Sequence, residues 1–318
     1  MSKFNGKTIL FLGDSLLSQT TETKMSGDGK DKVFKPDQSK EDERNTPECV
    51  KYRTNATIIN GAMSGARYKK RNESDSHYIS DGEYVLKNLI DVFIDLKKEN
   101  PQYKGDNNPI INDWNLVSTS KTNNGKNYTS SIQRGYYELK EWISELYNSG
   151  KKENLVDVII LGYGTNDWSK GIFFTDLNKI DARGKAYKER GSGYILKEMI
   201  QKIQTYLPEA SILVLSPLWG QTKNGKTFEE IKRNDRNILY WIEEIEKLCN
   251  EKKVAFLNGY DDLQFSKDNR VYYSLKNTDG TIDRIHLNGE GSERYANIII
   301  GKLITMLGIV SNSSVDFN

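Results

Sequence analysis

Five short apolar runs alternate along the chain with longer stretches whose apolar residues recur every three or four positions. The short runs are predicted to be strands and the longer stretches helices. Strands that alternate with helices form a parallel sheet covered on both faces, because each parallel connection has to cross the sheet. We therefore expect an α/β chain with three α/β/α layers and a five-stranded parallel sheet. The predicted strands are Thr8–Leu12, Thr57–Asn60, Val156–Leu161, Ile212–Leu215 and Val254–Leu257.

Helical periodicity is clearest in the second half of the chain. Apolar residues over 195–207 predict a helix that stops at Pro208, and those over 238–249 predict a helix before the fifth strand. Asn288 is predicted to open a last helix that packs on the sheet. Each of these helices lies where a layered α/β fold requires one.

Two connections are longer than a compact crossover requires. Residues 16–55 contain a charged stretch around Gly27–Pro47, and residues 66–131 contain a helical pattern at Tyr84–Leu96 before an Asn- and Ser-rich segment around Asn107–Ser131. Their polarity indicates insertions rather than core. They follow strands whose ends carry active-site loops, so they form either a lid or substrate-binding wall, or surface decoration without a role in binding.

The length of 318 residues suits one large domain over residues 1–318, with a frayed tail at 310–318. Forty-six basic and forty-four acidic residues give a net charge of +2. So small a charge excludes a field that would recruit nucleic acid or an anionic membrane surface. The basic stretches Lys69–Arg71 and Lys151–Lys152 are expected on solvated faces.

Cys49 and Cys249 are too few for a disulfide framework and too far apart in sequence for a zinc site, although a single bridge between them stays open. The N-terminus enters the first strand without a signal-peptide core, and no later run has the length of a membrane span. A soluble, cytoplasmic chain is the default expectation. Secretion or association with a particle stays open, as does the oligomeric state.

The tripeptide Gly13-Asp14-Ser15 follows the first predicted strand and so places a serine hydroxyl where open α/β sheets keep their reactive groups. Near the other end of the chain, Asp283 and His286 combine a carboxylate with one of only two histidines. A serine becomes a nucleophile when an imidazole takes its proton, and a carboxylate fixes the tautomer of that imidazole. These three residues predict acyl chemistry.

Two further blocks follow strand ends. The second strand runs into Asn60–Gly65, and the third runs into Gly164-Thr165-Asn166-Asp167. With Ser15 and His286, these blocks resemble the four conserved blocks of the SGNH hydrolases, also called the GDSL esterase and lipase family. The resemblance covers the whole length in the right order, with the two insertions as departures. The first block also departs, because the family usually has a glycine a few residues after the serine.

The resemblance implies a flavodoxin-like SGNH hydrolase fold and a serine esterase that needs no cofactor and no metal. It implies that Ser15 is the nucleophile, with His286 and Asp283 completing a catalytic triad. It also implies an oxyanion hole formed by the N–H groups of Ser15 and Gly65 and by the side chain of Asn166. Removal of metal with EDTA is expected to leave activity unchanged.

The leading function is hydrolysis of a small acyl ester, with acetyl as the first choice, on a carbohydrate or another small molecule. The alternatives are a lipase, lysophospholipase or thioesterase that uses the same residues, and a non-catalytic carbohydrate-binding or adhesion module. Trp168 and Trp219 follow the third and fourth strands and either line the substrate pocket or pack in the core. Arg67 either meets an anionic substrate or is solvated, and His77 is expected to be an exposed loop residue.

Overall fold

The computed structural model of the chain describes residues 4–18, 44–72, 75, 77–103, 107–118, 130–180, 185–222, 224–276 and 281–309. The strands are β1 (Thr8–Gly13), β2 (Thr57–Asn60), β3 (Val158–Gly162), β4 (Leu177–Ile180), β5 (Ala186–Glu189), β6 (Ser211–Leu215), β7 (Ala255–Leu257), β8 (Ser274–Lys276) and β9 (Ile282–Leu287). The helices are α1 (Ser15–Ser18), α2 (Thr46–Thr54), α3 (Gly82–Leu96), α4 (Pro109–Ser118), α5 (Ser130–Ser149), α6 (Thr165–Ser169), α7 (Ser192–Tyr206), α8 (Ile238–Lys252), α9 (Gly259–Asp262), α10 (Arg270–Tyr273) and α11 (Gly289–Met306). A 3₁₀ turn at Tyr78–Ser80 precedes α3.

The central sheet has the strand order β2-β1-β3-β6-β7, and all of its strand pairs are parallel. This is the order of flavodoxin-like sheets, in which ligands bind where the strand order reverses. Here the reversal lies between β1 and β3, the strands that lead to Ser15 and Asn166. The three-layer α/β/α fold with a five-stranded parallel sheet is therefore confirmed.

Helices cover both faces of this sheet. Helix α11 packs on α2, while α7 packs on both α3 and α8. The whole of β1 is buried, and β3 is buried up to its last residue, as expected for strands with a helix layer on each side. The predicted start of the last helix is confirmed, because the Asn288 side chain accepts a hydrogen bond from the Gly291 amide and so caps α11.

The second long connection differs from the expectation that its polarity places it outside the core. Helix α3 buries ten residues, among them Val85, Leu89 and Phe93, which belong to the main hydrophobic cluster. An apolar stripe along one helix face is enough to bury that helix even where the flanking segments are polar. Residues 19–43 and 119–129, which hold most of the polar stretches of both connections, lie outside the described residues, as does the predicted tail at 310–318.

Two small antiparallel pairs, β4 with β5 and β8 with β9, lie outside the central sheet and were not predicted. Their strands are three to six residues long and carry mixed polar residues, so their sequence has no clean alternation. The second pair matters for the site, because β9 carries Asp283 and His286.

Candidate active site

Ser15 is positioned by a close approach between two strands. Gly13 pairs with Gly162 of β3, and a β-carbon on Gly13 would lie 2.6 Å from the carbonyl oxygen of Gly162. Only glycine therefore fits at this position. The Asp14 amide donates to the same carbonyl oxygen at 3.1 Å. These contacts set the turn between β1 and α1, so that Ser15 begins the helix at the carboxyl edge of the sheet.

The imidazole of His286 connects Ser15 to Asp283. Its Nε2 lies 2.9 Å from the Ser15 Oγ, and its Nδ1 lies 2.6 Å from the Asp283 Oδ2. An ionised carboxylate only accepts hydrogen bonds, so it favours the tautomer with the proton on Nδ1 and leaves Nε2 to accept from the serine hydroxyl. The structure thus brings together the three residues that the sequence singled out.

Asp283 and His286 lie on the strand β9. Residues three apart on a regular strand point to opposite faces. Here the Asp283 Oδ1 accepts hydrogen bonds from the amides of Ile285 and His286 at 2.9 and 3.1 Å. This local turn draws the backbone around the carboxylate, so its second oxygen can meet the imidazole.

The surroundings of Asp283 keep it ionised. Burial acts to raise its pKa, but the hydrogen bond and charge of His286, together with the two amides, outweigh burial and lower the pKa to about 2. Behind the strand, the Arg270 guanidinium is buried, donates to the Ile285 carbonyl and lies 4.5 Å from the Phe265 ring centre. Burial lowers the pKa of Arg270 to about 9 against the opposing charge of Asp283.

Gly65 adopts a left-handed backbone conformation with φ of 72°. Its carbonyl oxygen accepts a hydrogen bond from the Arg71 Nη2, and Arg71 in turn forms an ion pair with the buried Asp81 at 2.9 Å. Asp81 also accepts from the amides of Arg67 and Arg71 at 3.1 and 2.8 Å. Among the described residues, the Gly65 amide has no hydrogen-bond acceptor.

Asn166 is half-buried on α6, whereas its neighbours Thr165 and Asp167 are buried. Its Nδ2 donates to the Ala66 carbonyl at 3.1 Å and lies 3.5 Å from the Asp14 Oδ2. The amide therefore joins the loop after β3 to the loop after β2 and to the turn that carries Ser15. Among the described residues, the two N–H groups of this side chain have one hydrogen bond shorter than 3.5 Å between them.

The profile of the GDSL-like lipase/acylhydrolase family matches residues 121–294, which is more than half of the chain. The chain belongs to this family. The matched span contains Asn166, Asp283 and His286 but begins after Ser15 and Gly65. Membership makes the chain a hydrolase of acyl esters. Ser15 lies outside the matched span, but in the structure its Oγ lies 2.9 Å from the Nε2 of His286, which is inside that span.

Solved structures with this fold include a possible lipase from Chitinophaga pinensis DSM 2588, with 13% identity, a TM-score of 0.50, and coverage of 95% of this chain and 99% of that one. A protein from Lactobacillus plantarum has 12% identity and a TM-score of 0.51, with coverage of 95% and 98%. At such identities the likeness shows the fold alone. No curated protein sequence matches the chain.

The two tryptophans proposed as pocket residues belong to the core of this GDSL-like hydrolase. Trp168 is 2% exposed and packs against Phe228 with ring centres 4.8 Å apart, and Trp219 is 6% exposed within the main hydrophobic cluster. So little exposed surface leaves almost nothing for a substrate to touch. Of the alternatives that the sequence left open for them, core packing is the one observed.

Arg71 and His77, which lie near Gly65, are less exposed than the sequence predicted. The Arg71 side chain is only 10% exposed, so this end of the Lys69–Arg71 stretch is not a solvated face. His77 is half-buried, with Nδ1 3.6 Å from the Asp75 Oδ1, and a β-carbon on Gly65 would lie 3.9 Å from its ring. A charge run gives no sign of a carboxylate ten positions away, which is why the pairing of Arg71 with Asp81 was missed.

Two carboxyl groups lie buried under the site. Burial raises the pKa of Asp14 to about 7, although the Leu16 amide and the charge of His286 act to lower it. Burial also raises the pKa of Asp167, against hydrogen bonds from the Tyr68 amide and the Ser192 hydroxyl. Both residues tie together the loops that carry Ser15, Ala66 and Asn166.

In the part of the chain that the structure describes, no group of three or more His, Cys, Asp or Glu side chains gathers as metal ligands. Cys49 and Cys249 are both buried and free, so the bridge that the sequence left open is not formed. Among the helices described, none has both the length and the apolar character that a membrane span needs.

Proposed function

We propose that this hydrolase is a serine esterase that removes a small acyl group, with acetyl as the first choice, from a hydroxyl of a carbohydrate. Ser15 is the nucleophile, His286 the general base and Asp283 the residue that orients the imidazole. The observation that carries the proposal is the pair of hydrogen bonds that runs from Ser15 through His286 to Asp283, at 2.9 and 2.6 Å.

In the first step the Ser15 Oγ attacks the acyl carbon while its proton moves to the His286 Nε2. Asp283 accepts the Nδ1–H throughout and stabilises the imidazolium that forms. The tetrahedral intermediate collapses, the C–O bond to the alcohol breaks, and His286 gives its proton to the leaving oxygen. Water then repeats the sequence on the acyl-enzyme, releases the carboxylic acid and restores the Ser15 hydroxyl.

Negative charge collects on the acyl oxygen in each tetrahedral intermediate, and we assign its stabilisation to three donors. These are the N–H groups of Ser15 and Gly65 and one N–H of Asn166. Support comes from the absence of acceptors for the two backbone amides among the described residues and from the partial exposure of Asn166. Its long contact with Asp14, at 3.5 Å, is easily given up for an oxyanion.

The surface next to the site supports an ester substrate whose alcohol portion is polar. The cleft beside the Gly65 loop is lined mainly by charged and polar side chains, which gain nothing from contact with a long acyl chain. Arg67 stays a candidate for substrate binding because it lines this cleft, whereas Trp168 and Trp219 are withdrawn because they are buried.

The test compares the 4-nitrophenyl esters of acetate, butyrate and decanoate on the parent protein, on Ser15→Ala and on Ser18→Ala. Ser18 is the matched control, because it lies on the same short helix and its buried hydroxyl has no partner among the described residues. We expect the acetate ester to be hydrolysed fastest, Ser15→Ala to be inactive and Ser18→Ala to be active.

Rates that climb with acyl length would favour the lipase or thioesterase alternative. Full activity of Ser15→Ala would exclude Ser15 as the nucleophile. Acetate release from a panel of acetylated oligosaccharides then tests the carbohydrate part, because a protein that binds them without releasing acetate would be a binding module and not an esterase.

A further inference from the structure

A cleft of about 520 Å³ is lined by residues that follow Gly65 and Asn166 closely in the chain. One wall comes from Arg67, residues 69–72 and Asp75, which follow Gly65 in the chain, and the other comes from residues 171–177 and 189–191. The second wall follows α6, the helix that carries Asn166. Each wall therefore includes residues that follow a proposed oxyanion donor in the chain.

The cleft has a strong excess of positive charge in a chain whose net charge is only +2. Two carboxylates, Asp75 and Glu189, line it together with five cationic residues, which are Arg67, Lys69, Lys70, Arg71 and Arg190. Cations gathered in a concave surface reinforce one another, because the surrounding low-dielectric protein focuses their field. Such a cleft attracts anions.

Arg67 has an unsatisfied hydrogen-bond donor in this cleft. Its Nε is buried and has no hydrogen-bond partner among the described residues, whereas Arg71 is paired with Asp81 and Lys69 lies 3.5 Å from Glu189. Burial and the neighbouring charge of Arg71 lower the pKa of Arg67, although the charges of Asp81, Asp167 and Asp75 act to raise it. A bound anion would supply the missing acceptor and offset the repulsion between the two guanidinium groups.

The cleft is connected to two of the proposed oxyanion donors. Arg67 is two residues from Gly65, so their α-carbons are at most about 7 Å apart. Arg71 donates to the Gly65 carbonyl, and the residue between Gly65 and Arg67 accepts a hydrogen bond from Asn166 at 3.1 Å. These contacts connect the cleft to the loop that carries Gly65.

We propose that this cleft binds an anionic group on the alcohol part of the substrate, so that the natural substrate is the acyl ester of an acidic carbohydrate. The inference rests on the proposed esterase function and adds the charge of its substrate. Carboxylate, sulfate and phosphate groups share the required chemistry, because each presents paired oxygens to a guanidinium fork.

The first experiment measures kcat/KM for 4-acetoxybenzoate and for its neutral isostere 4-acetoxybenzamide, which carry the same acetate ester. We expect the parent protein to prefer the anionic ester. In Arg67→Gln and in Lys69→Gln, we expect the ratio of the two kcat/KM values to fall about tenfold, mainly through KM of the anionic ester. High salt should reduce the same ratio.

Arg53→Gln is the matched control, because Arg53 is a partly exposed arginine on α2 that pairs with Glu293 away from the cleft. Its ratio should equal that of the parent. An equal preference for both esters in the parent protein, or ratios that neither cleft variant changes, would overturn the proposal.

The second experiment distinguishes the anions and separates this inference from the esterase proposal. Methyl 2-O-acetyl-glucoside and its 6-carboxylate, 6-sulfate and 6-phosphate forms are titrated calorimetrically into Ser15→Ala protein, with inorganic sulfate and phosphate alongside. Tighter binding of an acetylated anionic sugar than of the neutral one, lost in Arg67→Gln, supports the cleft even where Ser15→Ala proves still to hydrolyse esters. Binding of inorganic ions alone would overturn the assignment to substrate.

Discussion

The His286 Nε2 lies 2.9 Å from the Ser15 Oγ, although 271 positions separate the two residues in the chain. The contact forms because α1 begins at the end of a central strand and β9 packs against that same short helix. Asp283 completes the arrangement through its local turn on β9. The geometry of this carboxylate leads to a specific prediction.

Asp283→Asn should lower kcat by about 10⁴-fold, the loss seen when a triad carboxylate is replaced by an amide. The Oδ1 of residue 283 is held by the amides of Ile285 and His286, so the new NH₂ group would face the imidazole. It would donate to Nδ1, move the ring proton to Nε2 and remove the acceptor for the Ser15 hydroxyl. Ester hydrolysis under saturating substrate measures the effect.

Asp262→Asn is a suitable control for that change, because it makes the same substitution at an exposed residue of α9. It should retain the activity of the parent protein. A loss of less than tenfold in Asp283→Asn, with the fold intact by circular dichroism, would mean that Asp283 does not set the tautomer.

Asn166→Ala should lower kcat by about 100- to 1000-fold and change KM little, because an oxyanion donor acts on charge that develops only in the transition state. The substitution also removes the hydrogen bond to the Ala66 carbonyl. Steady-state kinetics on a soluble acetate ester separate the two parameters. An effect confined to KM would make Asn166 a substrate-positioning residue.

Gly65→Ala tests how the second proposed donor is held. A β-carbon there meets no atom closer than 3.9 Å, so the cost comes from the left-handed backbone and should be about 1–2 kcal/mol of unfolding free energy. Relief of that strain would turn the amide away from the oxyanion and lower kcat. Urea unfolding and kinetics on the same preparation check both parts.

Gly150→Ala is the matched control, since Gly150 has φ of 65° and open space around it but lies at the end of α5. It should show a similar loss of stability with no loss of kcat. Equal kinetic effects of the two substitutions would remove Gly65 from the oxyanion hole.

The sheet and the chemistry of the site could be predicted because both depend on local patterns. Each central strand is a short apolar run, and Ser15 and Asn166 directly follow such runs. Parallel strands place their carboxyl ends at one edge, so residues far apart in sequence were expected to meet there. The prediction that Gly65 and Asn166 are oxyanion donors came from the family resemblance, since spacing alone does not indicate it.

What could not be predicted depends on contacts between distant segments. Arg71 is buried because it forms an ion pair with Asp81, ten positions further along the chain. Trp168 is buried because it packs against Phe228. The strand that holds His286 is stabilised by pairing with β8, whose sequence carries no strand signal of its own. Charge runs and aromatic positions do not encode their partners, so the sequence misassigned Arg71 and could not decide between the alternatives for Trp168.

The raised pKa of Asp14, the buried residue before Ser15, can be tested through the pH dependence of folding stability. It is fully buried, its Oδ1 accepts from the Leu16 amide at 3.0 Å, and burial raises its pKa from 3.8 to about 7. The folded protein therefore keeps this proton to a higher pH than the unfolded chain does. By linkage, folding stability falls as pH rises between these two values and becomes constant above the higher one.

Asp14→Asn should remove that pH dependence, because the amide does not titrate and its oxygen can still accept from Leu16. Relative to the variant, the parent protein should lose up to about 1.4 kcal/mol of unfolding free energy for each pH unit between about pH 4 and pH 7. Urea unfolding of both proteins across this range isolates the contribution of Asp14 from those of Asp81 and Asp113, whose pKa values burial also raises. A difference between the two proteins that stays constant with pH would mean that Asp14 is ionised in the folded state, and that a negative charge lies beside the proposed oxyanion donor Asn166.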